Sequence, residues 1–281
     1  MTNMTGAGRF LCRQQFVAFD TETTGLWAPS NRIVELAAVR FRTGEDQVSN
    51  FQSLIDPERP IPEEVIEIHG ITDQMVAGAP SADVVLTQFR EFCGDDSILI
   101  AHNAPFDISF VACELGRASL QFGDNLVLDT VDIFRRFYPN LESYSLLSLA
   151  SRFGIAQTQL HRALEDADLV RLLFLQAAPH LGSVNSLDDL RSHLTTSTMA
   201  EWPGECRELP PEFAELQRAL KEELRVEIIY RSASQPAHKR VVRPRQVYTL
   251  GSQYYITAWC ERSRAERTFR LDRVESFRVL E

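Results

Sequence analysis

Phe16-Val17-Ala18-Phe19-Asp20-Thr21-Glu22-Thr23-Thr24-Gly25-Leu26 is the stretch that decides how the rest of the chain is read. Apolar residues run directly into two carboxylates with one residue between them, and then into a glycine turn. Strand side chains alternate faces, so Asp20 and Glu22 project side by side from one face. Like charges that close repel unless a cation lies between them. The stretch predicts a strand ending in a divalent-metal site, to which acids from distant parts of the chain must contribute.

Downstream, residues 31–42 (NRIVELAAVRFR) read as a second strand and 48–55 as a third. The turn signal Thr43-Gly44-Glu45-Asp46 between them predicts an antiparallel hairpin. Pro57, Pro60 and Pro62 mark a loop before a short helix over 63–68, whose first turn suits Pro62 and two glutamates. Residues 81–93 carry apolar side chains at helical spacing, with Ser81 as N-cap. Ile98-Leu99-Ile100-Ala101 is the short apolar run of a strand buried on both faces. His102-Asn103-Ala104-Pro105-Phe106-Asp107 then turns the chain into a helix over 108–115. A strand over 126–130, a helix over 144–153 stopped by Gly154, and a helix over 163–178 ended by Pro179 follow. Strands first, then alternating helices and strands, predict an α/β domain: a mixed sheet flanked by helices.

From residue 182 to 211 the periodicity fades and Ser, Thr, Asp, Gly and Pro accumulate, as in a linker, although 187–194 can hold a short helix. An amphipathic helix over 213–224 precedes strand-length runs at 226–231, 241–247, 254–259 and 268–277. Turn-like sequences at 232–236, 250–252 and 261–265 separate them, and a small β-barrel or half-barrel is expected.

A chain of 281 residues fits one large domain or two. No apolar run approaches the ~20 residues of a membrane helix, and the first 15 residues lack an apolar secretion segment. Cys12, Cys93, Cys113, Cys206 and Cys260 are scattered without a CxxC pair. Free thiols in a reducing cytoplasm are expected, rather than a disulfide framework or a zinc site. The net charge of −10 speaks against a nucleic-acid binder, but it is unevenly spread. Residues 225–281 hold 12 Lys and Arg against 6 Asp and Glu, and the rest of the chain 17 against 33. An acidic body with a basic tail module is thus expected.

Singly, each candidate residue has a structural explanation. Asp20 and Glu22 can be solvated acids at a strand end, Asp107 a helix cap, Asp166 and Asp168 complements to a helix dipole, and His161 a surface residue. Their coincidence carries the meaning. FVAFDTETTGL, IAHNAPFD and HRALEDADL resemble the three exonuclease motifs of the DEDDh family, which has a ribonuclease H-like fold. That family includes the proofreading subunit of bacterial replicative polymerases, ribonuclease T and oligoribonuclease. The resemblance covers about residues 15–178 and takes in NRIVELAAVRF, IHGIT, LDTV and SLLSLASRFGI. It implies that Asp20, Glu22, Asp107 and Asp166 bind two ions, Mg²⁺ or Mn²⁺, and that His161 is the general base. It further implies that Thr23 and Leu26 border the terminal nucleotide, with His69, His102 and Phe106 lining the same cleft. Leu26 and Phe106 fit a core role equally well, and His102 a turn.

The chemistry accounts for these residue types. Phosphodiester hydrolysis needs an activated water and stabilisation of charge on the leaving 3′-oxygen, and two ions ~4 Å apart supply both. Oxygen donors suit Mg²⁺ or Mn²⁺, whereas zinc favours His or Cys. A base titrating near neutrality suits the proton transfer. At ~100° per helical residue, His161 and Asp166 stand about 140° apart. His161 is therefore expected on the loop entering a helix and Asp166 within its first turns, and a loop-borne base can swing in with substrate.

Farther along, Tyr230, Arg240-Val241-Val242-Arg243-Pro244, the segment 251–260 and Arg267-Thr268-Phe269-Arg270-Leu271-Asp272-Arg273-Val274 resemble a WYL domain, a small Sm-like β-barrel. Tyr254-Tyr255-Ile256 stands where that family has its naming tripeptide. The resemblance implies ligand or nucleic-acid binding. Arg240, Arg243, Tyr254 and Arg270 are expected to form a basic, partly aromatic surface that follows phosphates and stacks bases; the alternative is a solvated arginine-rich face.

The expected organisation is an exonuclease domain over 15–178, a linker over 179–208 and the module over 209–281. The expected activity is metal-dependent 3′→5′ hydrolysis of DNA from single-stranded 3′ ends, releasing nucleoside 5′-monophosphates. The alternatives are an exoribonuclease and a non-catalytic nucleic-acid-binding regulator on a nuclease scaffold. No segment identifies a polymerase or clamp partner, or an oligomeric state.

Overall fold

Strand β1 (Phe16–Thr23) lies inside the sheet, and its first four residues are buried. Their apolar side chains serve both faces: Phe19 faces one core, while Phe16 lies between Phe41 and Phe174, with ring centroids 5.6 and 4.8 Å away. Burying one such ring contributes about 1.5–3 kcal/mol. The computed structural model describes residues 8–29, 31–158, 161–201, 209–231, 236–250 and 253–280.

β1 pairs antiparallel with β2 (Ile33–Phe41), which forms the expected hairpin with β3 (Ser49–Leu54). Three helices follow, α1 (Glu63–His69), α2 (Asp73–Val76) and α3 (Ala82–Cys93). Ser81 holds the N-cap position of α3, but its hydroxyl bonds the Asp83 carboxylate instead of a backbone N–H. β4 (Ile98–Ala101) is fully buried and returns parallel to β1. α4 (Pro105–Ala118) starts earlier than expected, because Pro105 takes the first helical position, where a missing N–H costs nothing. β5 (Leu126–Asp129) runs parallel to β4.

A helix that no sequence pattern announces, α5 (Thr130–Phe137), begins directly after β5, its N-cap supplied by the Asp129 side chain. α6 (Leu146–Arg152) and α7 (Ala163–Ala177) complete the far face, and α7 packs on β1 and β2. Pro179 lies in the 3₁₀ turn that follows α7. Part of the stretch expected as a linker is structured: α8 (Leu187–His193) leads to β6 (Thr196–Thr198), which pairs antiparallel with β5. The sheet order is β3-β2-β1-β4-β5-β6, a mixed sheet between two helical layers.

After α9 (Ala214–Lys221) come β7 (Arg225–Tyr230), β8 (His238–Leu250), β9 (Gln253–Cys260), β10 (Ala265–Arg270) and β11 (Val274–Leu280). They form a separate antiparallel sheet in the order β10-β9-β8-β7-β11, over its own core. The single strand expected over 268–277 is two strands, because Leu271–Arg273 turns the chain between them. Of the turns expected at 232–236 and 250–252, residues 232–235 and 251–252 lie outside the described residues.

The expectation of free thiols throughout requires correction. Cys12, Cys93 and Cys260 are outside any disulfide, but Cys113 on α4 is in one, a pairing that sequence spacing does not disclose. Cys206 lies outside the described residues. Among the described residues, no helix is long and apolar enough to cross a membrane.

Candidate active site

The strand alternation of β1 buries Thr21 and Thr23 and leaves Asp20 and Glu22 partly exposed on the opposite face. Asp166, in the first turn of α7, is 3% exposed and meets them there. One carboxylate oxygen from each of Asp20, Glu22 and Asp166 lies within 4.8 Å of the others. Asp107, 2% exposed in the first turn of α4, approaches β1 from its edge. β4 pairs with β1 only from Phe16 to Ala18, so the β1 edge beyond is open. There Asp107 Oδ1 accepts from the Thr21 N–H at 2.9 Å and the Thr21 hydroxyl at 2.7 Å. Its helical position and these bonds replace the capping role that the sequence alone allows. Asp168 pairs instead with Arg171 at 2.6 Å.

The carboxyls of the cluster crowd one another. Burial, then Asp107, Glu22 and Asp166, push the Asp20 carboxyl well above its usual range. Burial, Asp166 and Glu35 push Glu22 up to about 9. Burial pushes Asp107 up to about 7 against the opposing pull of its Thr21 bonds. Crowded carboxylates of this kind, with oxygen as the only donor atom, fit hard divalent cations.

His161 is exposed, has φ 49°, and immediately precedes Arg162, the N-cap residue of α7. Arg162 makes no side-chain cap bond. The cap comes from Glu35 on β2, a fully buried acid that the sequence motifs do not single out. Glu35 accepts from Ala163 N at 3.1 Å, Arg162 Nε at 3.0 Å, Arg162 Nη2 at 2.6 Å and Gln52 Nε2 at 2.9 Å. Burial alone raises a carboxyl, but the bonds from Arg162, Ala163 and Gln52 hold Glu35 below its ordinary value. An acid within the run Ile33-Val34-Glu35-Leu36-Ala37 is the available signal, since a buried charge needs a partner.

The expected cleft residues are placed unevenly. Thr23 is buried, and its hydroxyl donates to the Gly25 carbonyl at 2.7 Å. Leu26 is 47% exposed, next in the chain. His69 is buried, its Nδ1 accepts from Ile71 N at 3.0 Å, and burial lowers its pKa. Phe106 is half-buried against the core, 5.0 Å from Phe110. His102 is turned toward α5: Nδ1 lies 2.9 Å from the Thr130 hydroxyl, and burial pushes its pKa down to about 4. Beside it, Asp129 accepts from Asn103 N at 2.9 Å and Val131 N at 2.8 Å, bracing the turn into α4.

In the module, the four residues expected to share a surface do not share one face. Tyr254 packs against the module core, on the side of buried Ile256 and Ala258. Arg240 is half-buried on the side of buried Val242, with Nη1 3.9 Å from Cys260 Sγ. Arg243 and Arg270 lie on the opposite face, across from Trp259 and Tyr255 respectively. Arg270 is held by Asp272 through Nε at 2.7 Å and through Nη2. The face therefore carries Tyr255 and Trp259, with Arg245 5.8 Å over the Trp259 ring, in place of Tyr254.

Residues 17–174 match the family described as Exonuclease, and residues 211–279 the one described as WYL domain. The DNA polymerase III PolC-type of Listeria welshimeri is 38% identical over 182 residues, which are 64% of this chain and 12% of the relative. That of Bacillus subtilis is 40% identical over 171 residues, 60% of this chain and 12% of the relative. The chain thus spans only a small part of the length of these relatives. Exonuclease I of E. coli, solved in complex with a dA16 oligonucleotide, is similar over 88% of this chain and 55% of its own, with a TM-score of 0.55 and 17% identity. That likeness concerns the fold.

Proposed function

Because the chain belongs to the exonuclease family and carries a WYL domain, we propose that it is a metal-dependent 3′→5′ exonuclease. It trims DNA, preferably from single-stranded 3′ ends, to nucleoside 5′-monophosphates. The observation that carries this reading is the convergence of Asp20, Glu22 and Asp166 within 4.8 Å.

Asp20, Glu22, Asp166 and Asp107 would hold Mg²⁺ or Mn²⁺, which when bound would supply activation of the attacking water and charge stabilisation at the leaving 3′-oxygen. His161 takes the proton from the attacking water, its exposed position leaving it room to reach the substrate. Thr21 holds Asp107, and Glu35 holds the start of α7, so that acids from three elements stay in register. Thr23 and Leu26 border the terminal base, with His69 and Phe106 behind them. DNA is favoured over RNA because the PolC-type relatives are DNA polymerases. The module, read as an Sm-like barrel over 209–281, follows the strand upstream of the cleaved end with Arg243, Arg270, Tyr255 and Trp259.

The test is incubation with 5′-end-labelled single-stranded DNA, duplex DNA and RNA, each with Mg²⁺, Mn²⁺ or EDTA. The expected result is a ladder shortening from the 3′ end of single-stranded DNA, absent with EDTA and absent in Asp20→Ala. Retained cutting by Asp20→Ala, or no shortening of any substrate, overturns the reading. Faster shortening of RNA than of DNA replaces the substrate.

A further inference from the structure

The turn after β1 joins the two domains. Trp27, carried by the exonuclease domain, is 6% exposed. Its indole belongs to the core of the C-terminal module, with Leu209, Leu216, Ala219 and Leu220, and the Lys221 ammonium lies 4.8 Å over its ring. Among the described residues, it is the one buried side chain of the exonuclease domain in that core.

The residues around it are fixed on the other side. The Trp27 carbonyl accepts from Asn31 N and Nδ2, both at 3.0 Å. Arg117 on α4 donates to the Ala28 and Pro29 carbonyls at 2.9 and 3.0 Å. Gly25 passes close to the Asn31 side chain, where a Cβ would lie 2.7 Å from Asn31 Oδ1. Leu26 thus lies between the Thr23–Gly25 hydrogen bond and the anchored indole of Trp27, and it is exposed.

We propose that the C-terminal module, through Trp27, sets the position of this turn and so seats Leu26 against the 3′-terminal nucleotide. Trp27 is a positioning residue for substrate, and the module is part of the active-site wall as well as a surface for the upstream strand. The inference rests on the exonuclease reading and on Leu26 bordering the terminal nucleotide.

Two substrates separate the roles. The p-nitrophenyl ester of thymidine 5′-monophosphate offers one nucleotide and no upstream strand, whereas an oligothymidylate offers both. In the full chain, Trp27→Ala is expected to raise KM for the ester by about tenfold, with kcat changed much less, since it removes binding shared by ground and transition states. Trp27→Phe recovers most of the loss. Leu26→Ala raises the ester KM alone but adds little on top of Trp27→Ala, because the two act as one unit. An unchanged ester KM in Trp27→Ala, with a raised KM for the oligonucleotide only, overturns the proposal and reduces Trp27 to a domain contact. If Trp27→Ala lacks the wild-type thermal transition, Trp27→Leu keeps apolar volume in the module and the same ester comparison decides. Wild-type chain that hydrolyses neither substrate removes the exonuclease reading and this inference with it. Wild-type activity with an unaltered Trp27 variant removes this inference alone.

Discussion

Asp107 Oδ1 takes two hydrogen bonds from one residue, the N–H and the hydroxyl of Thr21, at 2.9 and 2.7 Å. Thr21 points away from the acid cluster, yet it determines where the fourth acid stands. Thr21→Val keeps the shape and the N–H but loses the hydroxyl. A hydrogen bond to a charged group contributes about 1.5–3 kcal/mol, so urea unfolding should shift by about that amount. The ester kcat/KM should fall roughly tenfold, and Thr21→Ser should retain it. Equal kinetics for Val and Ser would show that the backbone bond suffices.

How much of this is legible in the sequence follows from the range of each interaction. The first half of β1, most of β2 and all of β4 are buried on both faces, so each reads as an apolar run by itself. β6 is Thr196-Ser197-Thr198, polar residues made a strand only by pairing with β5, and no local pattern marks it. α5 is hidden because Asp129 is at once the end of a strand and the cap of a helix. The acids of the site stand out because chemistry restricts their types. Their supports do not: Thr21 to Asp107 spans 86 positions and Glu35 to Ala163 spans 128. The outward-facing tyrosine of the module is not legible locally, because which of the adjacent Tyr254 and Tyr255 shares a face with Arg270 is decided by the β9–β10 pairing.

Glu35 should matter to catalysis without touching substrate. It caps α7 and accepts from Nε and Nη2 of Arg162, the residue after His161. Glu35→Ala leaves Arg162 to water, which limits the loss to about 1.5–3 kcal/mol of stability. The larger effect should be on kcat, since the base loses its anchor, with KM for the ester little changed. A fall in stability at unaltered kcat would confine Glu35 to folding.

The acid cluster should make stability depend on pH in a direction that metal opposes. Glu22 is pushed up to about 9 and Asp107 to about 7, above their ordinary values of 4.5 and 3.8. Between those limits the folded chain holds protons that the unfolded chain releases, so stability falls as pH rises through the window. With EDTA, Tm should therefore decline from about pH 5 to about pH 9. Divalent ions bind the ionised carboxylates, and their stabilisation should grow over the same range, reaching about 2.7 kcal/mol at a hundredfold excess over Kd. Asp20→Asn should shrink the gap between the two curves. Parallel Tm curves with and without Mn²⁺ would mean that the cluster does not hold the ion.

The outer face of the module should act on long strands only. Arg243 is exposed across from Trp259, whereas the charge of Arg270 is already met by Asp272. Arg243→Ala should lower the salt dependence of oligothymidylate binding by about 0.7 in slope for each phosphate that Arg243 neutralises. Arg270→Ala should change it less, because Asp272 already engages the Arg270 guanidinium and keeps it from neutralising a phosphate. Tyr255→Ala should weaken binding by about 1–3 kcal/mol if a base stacks on it. None of the three should alter the ester KM, since one nucleotide does not reach that face. The contrast with Trp27 is the decisive part: both belong to the module's connections, but only Trp27 reports on the terminal nucleotide. Fluorescence anisotropy at two salt concentrations, beside the ester assay, reads both, and an ester KM that moves with Arg243 would place the strand's path across the module differently.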